Sequence, residues 1–142
     1  MKSYFSHIFI LLAVLVLVSG CTQAQPPKAA IGENKVASIE VLDKSFVKDT
    51  TGLPIATKIV GKAGLQGKAG AELEFSCRPI YSGQLVEKGI SSKEKLNDNG
   101  EKNVPITIIS TLNNRLDIGK WNVCCDLGNE LTQIKTTTVC GK

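Results

Sequence analysis

The sequence predicts an all-β protein, a single antiparallel β-sandwich stapled by disulfides. Three observations carry that prediction. Beyond residue 35 the chain runs as short apolar or β-branched stretches separated by Gly, Pro, Asn and Asp. No stretch of useful length repeats its apolar residues at the 3.6-residue helical spacing. Cys77, Cys124, Cys125 and Cys140 stand in the same region, an even set suited to bridging.

The elements follow in order. Val36–Val41 is β-branched and ends at Asp43, and Ser45–Val47 continues it after a bend. Thr57–Val60 is a weaker strand. It runs into GKAGLQGKAG, residues 61–70, which lacks the strand-to-helix setting and the Lys-Ser/Thr ending of a phosphate loop and reads as a flexible surface loop. Ala71–Cys77 is the clearest strand, because Leu73, Phe75 and Cys77 alternate with Glu72, Glu74 and Ser76. Leu85–Val86 reads as a short strand. Lys93–Lys102 is charged and contains Asn97-Asp98-Asn99-Gly100, a turn by composition and without calcium-loop spacing. Val104–Leu112 is rich in Ile and Thr, with Pro105 at its start, where a missing ladder donor is tolerated. Gly119–Leu127 and Ile134–Val139 complete the set.

The N-terminus reads differently. Lys2 is followed by the apolar run Ile8–Val18, eleven residues long, where a spanning helix needs about 20. Small residues and a cysteine come next, Val18-Ser19-Gly20-Cys21, which is the order of a signal peptide and its cleavage site. The segment resembles the lipobox of prokaryotic lipoproteins. That resemblance implies a signal peptide over residues 1–20, a diacylglyceryl thioether on Cys21, and a mature chain held to the outer side of the cytoplasmic membrane or to the outer membrane. Each buried methylene contributes about 0.8 kcal/mol, so two or three acyl chains anchor a small domain durably. Thr22–Asn34 is polar, contains Pro26-Pro27 and has no apolar periodicity, so residues 21–34 read as anchor and stalk. At about 3.3 Å per residue the thirteen residues of that stalk reach at most about 40 Å. Residues 35–142 form the expected sandwich domain.

Processing at Cys21 removes His7, the only histidine. Without imidazole, Ser-His-Asp and Cys-His mechanisms, histidine zinc sites and copper-carrying sandwich sites lack a required group. Loss of Lys2 lowers the formal charge from +4 to about +3, and the charges alternate in sign along the chain. No basic block of the kind nucleic acid selects is present, and nucleic acid is not an expected partner. The aromatic residues left are Phe46, Phe75, Tyr81 and Trp121, a thin supply of large core side chains.

Leu116–Cys125 reads LDIGKWNVCC. It resembles the Asp-x-Gly-x-Tyr-x-Cys segment that leads into strand F of immunoglobulin-like domains, with Asp117 and Gly119 matching. Trp121 stands in the place of the corner tyrosine, and Val123 in that of the cysteine. An indole has no hydroxyl, so the corner hydrogen bond of that family is not expected here. The resemblance implies an immunoglobulin-like sandwich. Thr50-Thr51-Gly52 resembles the Thr-Thr-Gly loop of chagasin-type cysteine-protease inhibitors, which would imply inhibition. That family's glycine-rich and Arg-Pro-Trp loops have no counterpart in order, since Arg78-Pro79 lies mid-chain.

Alternation ranks the cysteine pairings. In a strand through Trp121, residues 121, 123 and 125 share the apolar face, and Asn122, Cys124 and Asp126 share the wet one. Cys77 lies beside Phe75 on its own apolar face. The expected bridges are therefore Cys77–Cys125 across the core and Cys124–Cys140 between neighbouring C-terminal strands, provided Asp126–Ile134 is a long loop. Cys77–Cys124 with Cys125–Cys140 is the competing arrangement, and the third requires a bond between adjacent residues.

The expected function is that of a binding or structural module without catalytic activity, metal or cofactor. Its partners would be the membrane, through the lipid on Cys21, and an unidentified protein or surface ligand. The alternative is thiol redox or metal handling by Cys124-Cys125. Against it, the pair has no Cys-x₂₋₄-Cys spacing, lies in a strand, and has no basic neighbour closer than Lys120. Protease inhibition is the poorer alternative.

Overall fold

The structure is a computed structural model, and it describes residues 32–141. The expected signal peptide, Cys21 and the stalk up to residue 31 lie outside the described residues.

The described residues form eight strands: β1 (Lys35–Lys48), β2 (Pro54–Gln66), β3 (Glu72–Tyr81), β4 (Gln84–Leu85), β5 (Ile90–Lys95), β6 (Glu101–Thr111), β7 (Trp121–Leu127) and β8 (Val139–Cys140). Among the described residues the one helical element is a single 3₁₀ turn, Ile118–Lys120, capped by the Asp117 carboxylate, which accepts from the Gly119 amide at 3.0 Å. The strands form two antiparallel sheets. One has the order β1-β2-β6. In the other, β3 pairs with β7, which pairs with β8, while the far edge of β3 is divided between β4 and β5.

Period-two alternation builds one core from both sheets. Val36 and Ile39 of β1, Ile59, Ala63 and Leu65 of β2, and Val104, Ile106 and Ile108 of β6 are buried with Leu73, Phe75 and Cys77 of β3 and Trp121, Val123 and Cys125 of β7. β6 is the most regular strand. Its core residues alternate with exposed Pro105, Thr107 and Ile109. Pro105 keeps its place there because β6 is an edge strand of its sheet, where one missing amide donor breaks no ladder.

The glycine-rich segment differs most from its sequence reading. Residues 61–66 are not a surface loop but the second half of β2, the central strand of the three-stranded sheet. The glycines are there for proximity. β1 is bulged between Val41 and Asp43, and a Cβ on Gly61 would lie 2.5 Å from the Glu40 carbonyl oxygen. Only the second Gly-Lys-Ala-Gly, residues 67–70, is a connection. The charged stretch from Lys93 also begins as strand. β5 is an edge strand whose Lys93 and Glu94 pair with Glu74 and Lys102, and charged edges of this kind resist pairing with other chains. The turn at Asn97–Gly100 follows, with the Asn97 side chain accepting from the Asn99 and Glu101 amides. The strand expected over Ile134–Val139 is reduced to Val139–Cys140, because Lys135–Thr138 is a turn.

Trp121 anchors the start of β7. Its side chain is fully buried, and its Nε1–H donates to the Arg115 carbonyl, six residues upstream, at 3.0 Å. Tyr81 faces it across the β3–β7 ladder, with the rings edge-on and their centroids 5.3 Å apart. Lys44 Nζ donates to the Trp121 carbonyl and so ties β1 to the start of β7.

Candidate functional site

β7 carries the two adjacent cysteines. Successive strand residues point to opposite faces, so Cys125 turns to the core and Cys124 to the outer face of the five-stranded sheet. Cys125 is bonded to Cys77, its direct neighbour on β3, and Cys124 to Cys140, its direct neighbour on β8. The Cα separations are 4.1 and 3.9 Å, shorter than the about 4.5 Å of a non-hydrogen-bonded pair in an antiparallel ladder. The first bridge therefore does not cross the core from sheet to sheet. It lies on the core-facing side of one sheet, because β3 and β7 are partners rather than members of opposing layers.

The face expected to be wet is dry. Cys124 is fully buried and Asp126 is 8 % exposed. The cause is the connection over residues 128–138, which folds back over this face instead of leaving it. Leu131 packs with Ile80 and Cys124 in a second, smaller cluster, flanked by Leu85 and Cys140. Asp126 holds the far part of the connection. Its Oδ2 accepts from the Thr137 and Thr138 hydroxyls at 2.8 and 3.1 Å, and its Oδ1 from the Leu127 amide at 2.9 Å.

Arg78 holds the near part. It lies on β3 between Pro79 and Cys77, pointing to the outer face, and is half-buried. Its Nε donates to the Glu87 carbonyl, and its Nη1 donates to the Leu131 carbonyl at 2.9 Å. One guanidinium thus joins the segment before β5 to the segment after β7. Glu87 continues the chain of contacts, since its carboxylate accepts from the Thr111 hydroxyl and amide at the end of β6. Burial would raise the Glu87 pKa, but the Thr111 hydrogen bonds and the Arg115 charge outweigh it and hold the group below its ordinary value.

Between these two segments is an open cleft of about 310 Å³, lined by Ser76, Arg78, Lys88–Ser91 and Asn129–Leu131. Gly89 makes its near wall possible, since a Cβ there would collide with the Cys77 carbonyl and the Arg78 stem. Ser76 forms the floor in register with Ser91 on one side and Asp126 on the other. It is 2 % exposed, and its hydroxyl has no protein partner.

All four cysteines of the described residues are thus in bridges, and both bridges meet at β7. The cleft was missed at the level of sequence. Its one legible signal is Ser76-x-Arg78, two polar residues on the outward face of an otherwise well-marked strand. Lys88, Asn129 and Glu130 are brought to it by connections whose paths no periodicity reveals. Thr50-Thr51-Gly52 is a turn, with the Asp49 carboxylate accepting from the Thr51 and Leu53 amides and the Thr51 hydroxyl. Compared with protein families, with curated proteins and with solved structures, the chain finds no match.

Proposed function

We propose that this protein is a lipid-anchored, non-catalytic binding module, an immunoglobulin-like sandwich carried on a short stalk at the outer side of a prokaryotic membrane. The observation that carries the reading is the double staple of β7. Bridges of this kind persist in oxidising compartments, and their presence in the domain is compatible with an extracytoplasmic location. The lipobox Val18-Ser19-Gly20-Cys21 supplies the address and the anchor.

The sandwich reading is supported by strand order. If β1 to β3 are named A, B and C, β5 C′, and β6 to β8 E, F and G, the two sheets have the orders A-B-E and C′-C-F-G. That arrangement is close to the two-sheet pattern of immunoglobulin-like domains. The Trp121 hydrogen bond to Arg115 supports it too, since it ties the start of strand F back to the preceding loop, as the corner tyrosine does. The departure is the bridge, which joins C to F within a sheet and not B to F between sheets.

Asn34 joins β1 at the end where its side chain accepts from the Lys68 amide, beside the Gly67 and Asn97–Gly100 turns.

The deciding experiment is the intact mass of the membrane-extracted protein, alkylated before and after reduction. A lipid-modified chain beginning at Cys21, with no alkylation until reduction, is the expected result. Two alkylatable thiols on the native protein would instead transfer the function to cysteine chemistry.

A further inference from the structure

We infer that the cleft on the outer face of the five-stranded sheet is a binding site for a small carboxylate monoanion, held by Arg78 and Lys88 over the Ser76 hydroxyl. The inference rests on the binding-module reading and supplies the chemistry of its ligand.

Charge is the first argument. Arg78 is half-buried, and among the described residues its cation is met only by two carbonyl oxygens, those of Glu87 and Leu131. Among the described residues neither Arg78 nor Lys88 belongs to an ion pair. A partly desolvated guanidinium without a carboxylate is an incomplete arrangement, and its planar fork suits bidentate contact with an oxyanion. Two of its five donors are taken by the walls, which fixes the group in place before a ligand arrives.

The second argument is the floor. A buried hydroxyl with no partner is costly, and Ser76 Oγ is one. Ser91 and the Asn129 amide stand around the same cleft, so a ligand oxygen would find neutral donors beside the two cations.

The third argument selects the anion. The cleft also contains Glu130, so its charged lining, Arg78, Lys88 and Glu130, sums to a single positive charge. A carboxylate balances that charge, whereas a phosphate dianion would overcharge the site and face Glu130. The cleft is polar, open and at the small end of ligand sites, which suits the acid group of an amino-acid-sized or monosaccharide-sized molecule better than an extended apolar ligand.

The test is a titration of the ¹⁵N-labelled full chain in non-ionic detergent micelles, followed by amide spectra. The probes are acetate, N-acetylglycine and glucuronate, with chloride at matched ionic strength and inorganic phosphate as comparators. The expected result is saturable shifts at Ser76, Arg78, Gly89, Ser91 and Asn129 with the carboxylates and not with chloride. The stronger of N-acetylglycine and glucuronate then identifies a peptidic or a sugar acid. Lys88→Gln should weaken binding about fivefold, and Glu130→Gln should tighten it about twofold, as expected for exposed charges. Ser76→Ala, which removes a hydroxyl with no protein hydrogen bond to lose, should also weaken it. Shifts reproduced by chloride, an affinity indifferent to Lys88→Gln, or tighter binding of phosphate than of any carboxylate would each overturn the assignment. Such a failure leaves the mass experiment untouched, just as free thiols there would break the anchored-module reading without affecting this titration.

Discussion

Cys124 and Cys125 are adjacent in β7, yet they bridge to opposite neighbours on opposite faces of the sheet, Cys124 to Cys140 and Cys125 to Cys77. β7 is therefore pinned along both edges by covalent bonds one residue apart. The two bridges close loops of different size, with sequence separations of 48 and 16. On the chain-entropy argument, replacing Cys77 and Cys125 by Ser costs about 4 kcal/mol and replacing Cys124 and Cys140 about 3 kcal/mol. Urea unfolding of the two double variants should show that order. An equal or reversed order would mean that lost packing around the sulfurs, and not loop closure, decides the difference.

Trp121 is the single tryptophan of the chain and is fully buried. Its emission should therefore be blue-shifted in the native protein and move to the red on unfolding, as a direct report on the start of β7. Trp121→Phe keeps a ring against Tyr81 but loses the donor to Arg115 and some volume. The expected cost is about 2 kcal/mol, read from the shift in the unfolding midpoint. A variant within about 0.5 kcal/mol of the native protein, the range of an ordinary surface change, would remove the indole hydrogen bond from the account of what holds the start of β7.

These two residues also show what the sequence could reveal. Strict alternation through Trp121-Val123-Cys125 was enough to separate the faces of β7, and with them the roles of two adjacent cysteines. What alternation cannot supply is which strands are neighbours. It therefore placed the Cys77–Cys125 bond across the core instead of along one sheet, and it left the outer face of β7 wet when a long connection covers it. Gly61 and Gly64 failed for a related reason. Glycine signals a loop by propensity, but it also permits close approach of backbones, and only the position of bulged β1 decides between the two.

Gly61 offers a test of that point. Val favours strands over Gly, so by propensity alone Gly61→Val should stabilise β2. The close approach of the Glu40 carbonyl predicts the opposite, a loss of about 2–3 kcal/mol from overpacking. Lys58→Val, on the exposed face of the same strand, should stay within about 0.5 kcal/mol. Thermal unfolding of the pair separates the two explanations.

Acid should weaken the domain through a small set of carboxylates. Hydrogen bonds from the Thr51 hydroxyl and the Leu53 amide lower the pKa of Asp49, and those from Lys102 and Ser92 lower that of Glu94. In Glu87 the contacts from Thr111 prevail over burial, in the same direction. A group whose pKa is lower in the folded state contributes stability above its unfolded value and loses it as pH falls through the folded value. Stability should thus be flat from neutral pH down to the ordinary carboxylate range near about 4.5 and decline below it. Glu87→Gln should lower the plateau and flatten part of the decline. A decline that begins near pH 6 would point to other groups.

The far part of the connection over the outer face of β7 depends on Asp126, whose carboxylate accepts from both Thr137 and Thr138 and is almost fully buried. Asp126→Ala removes both contacts at once and leaves the segment around Lys135, which is exposed, without its inner tether. Limited trypsin digestion of the native protein should then show faster cleavage after Lys135, by about tenfold if the lost contacts are together worth about 1.4 kcal/mol of local opening. Cleavage after Lys93, on the far edge of the same sheet, should be unchanged. The Cys124–Cys140 bridge stays intact in this variant, so the peptide remains attached after the cut and is released only on reduction. Faster cleavage at both lysines would mean that Asp126 stabilises the whole sheet. Unchanged cleavage at Lys135 would mean that Leu131 and the bridge hold the connection without it.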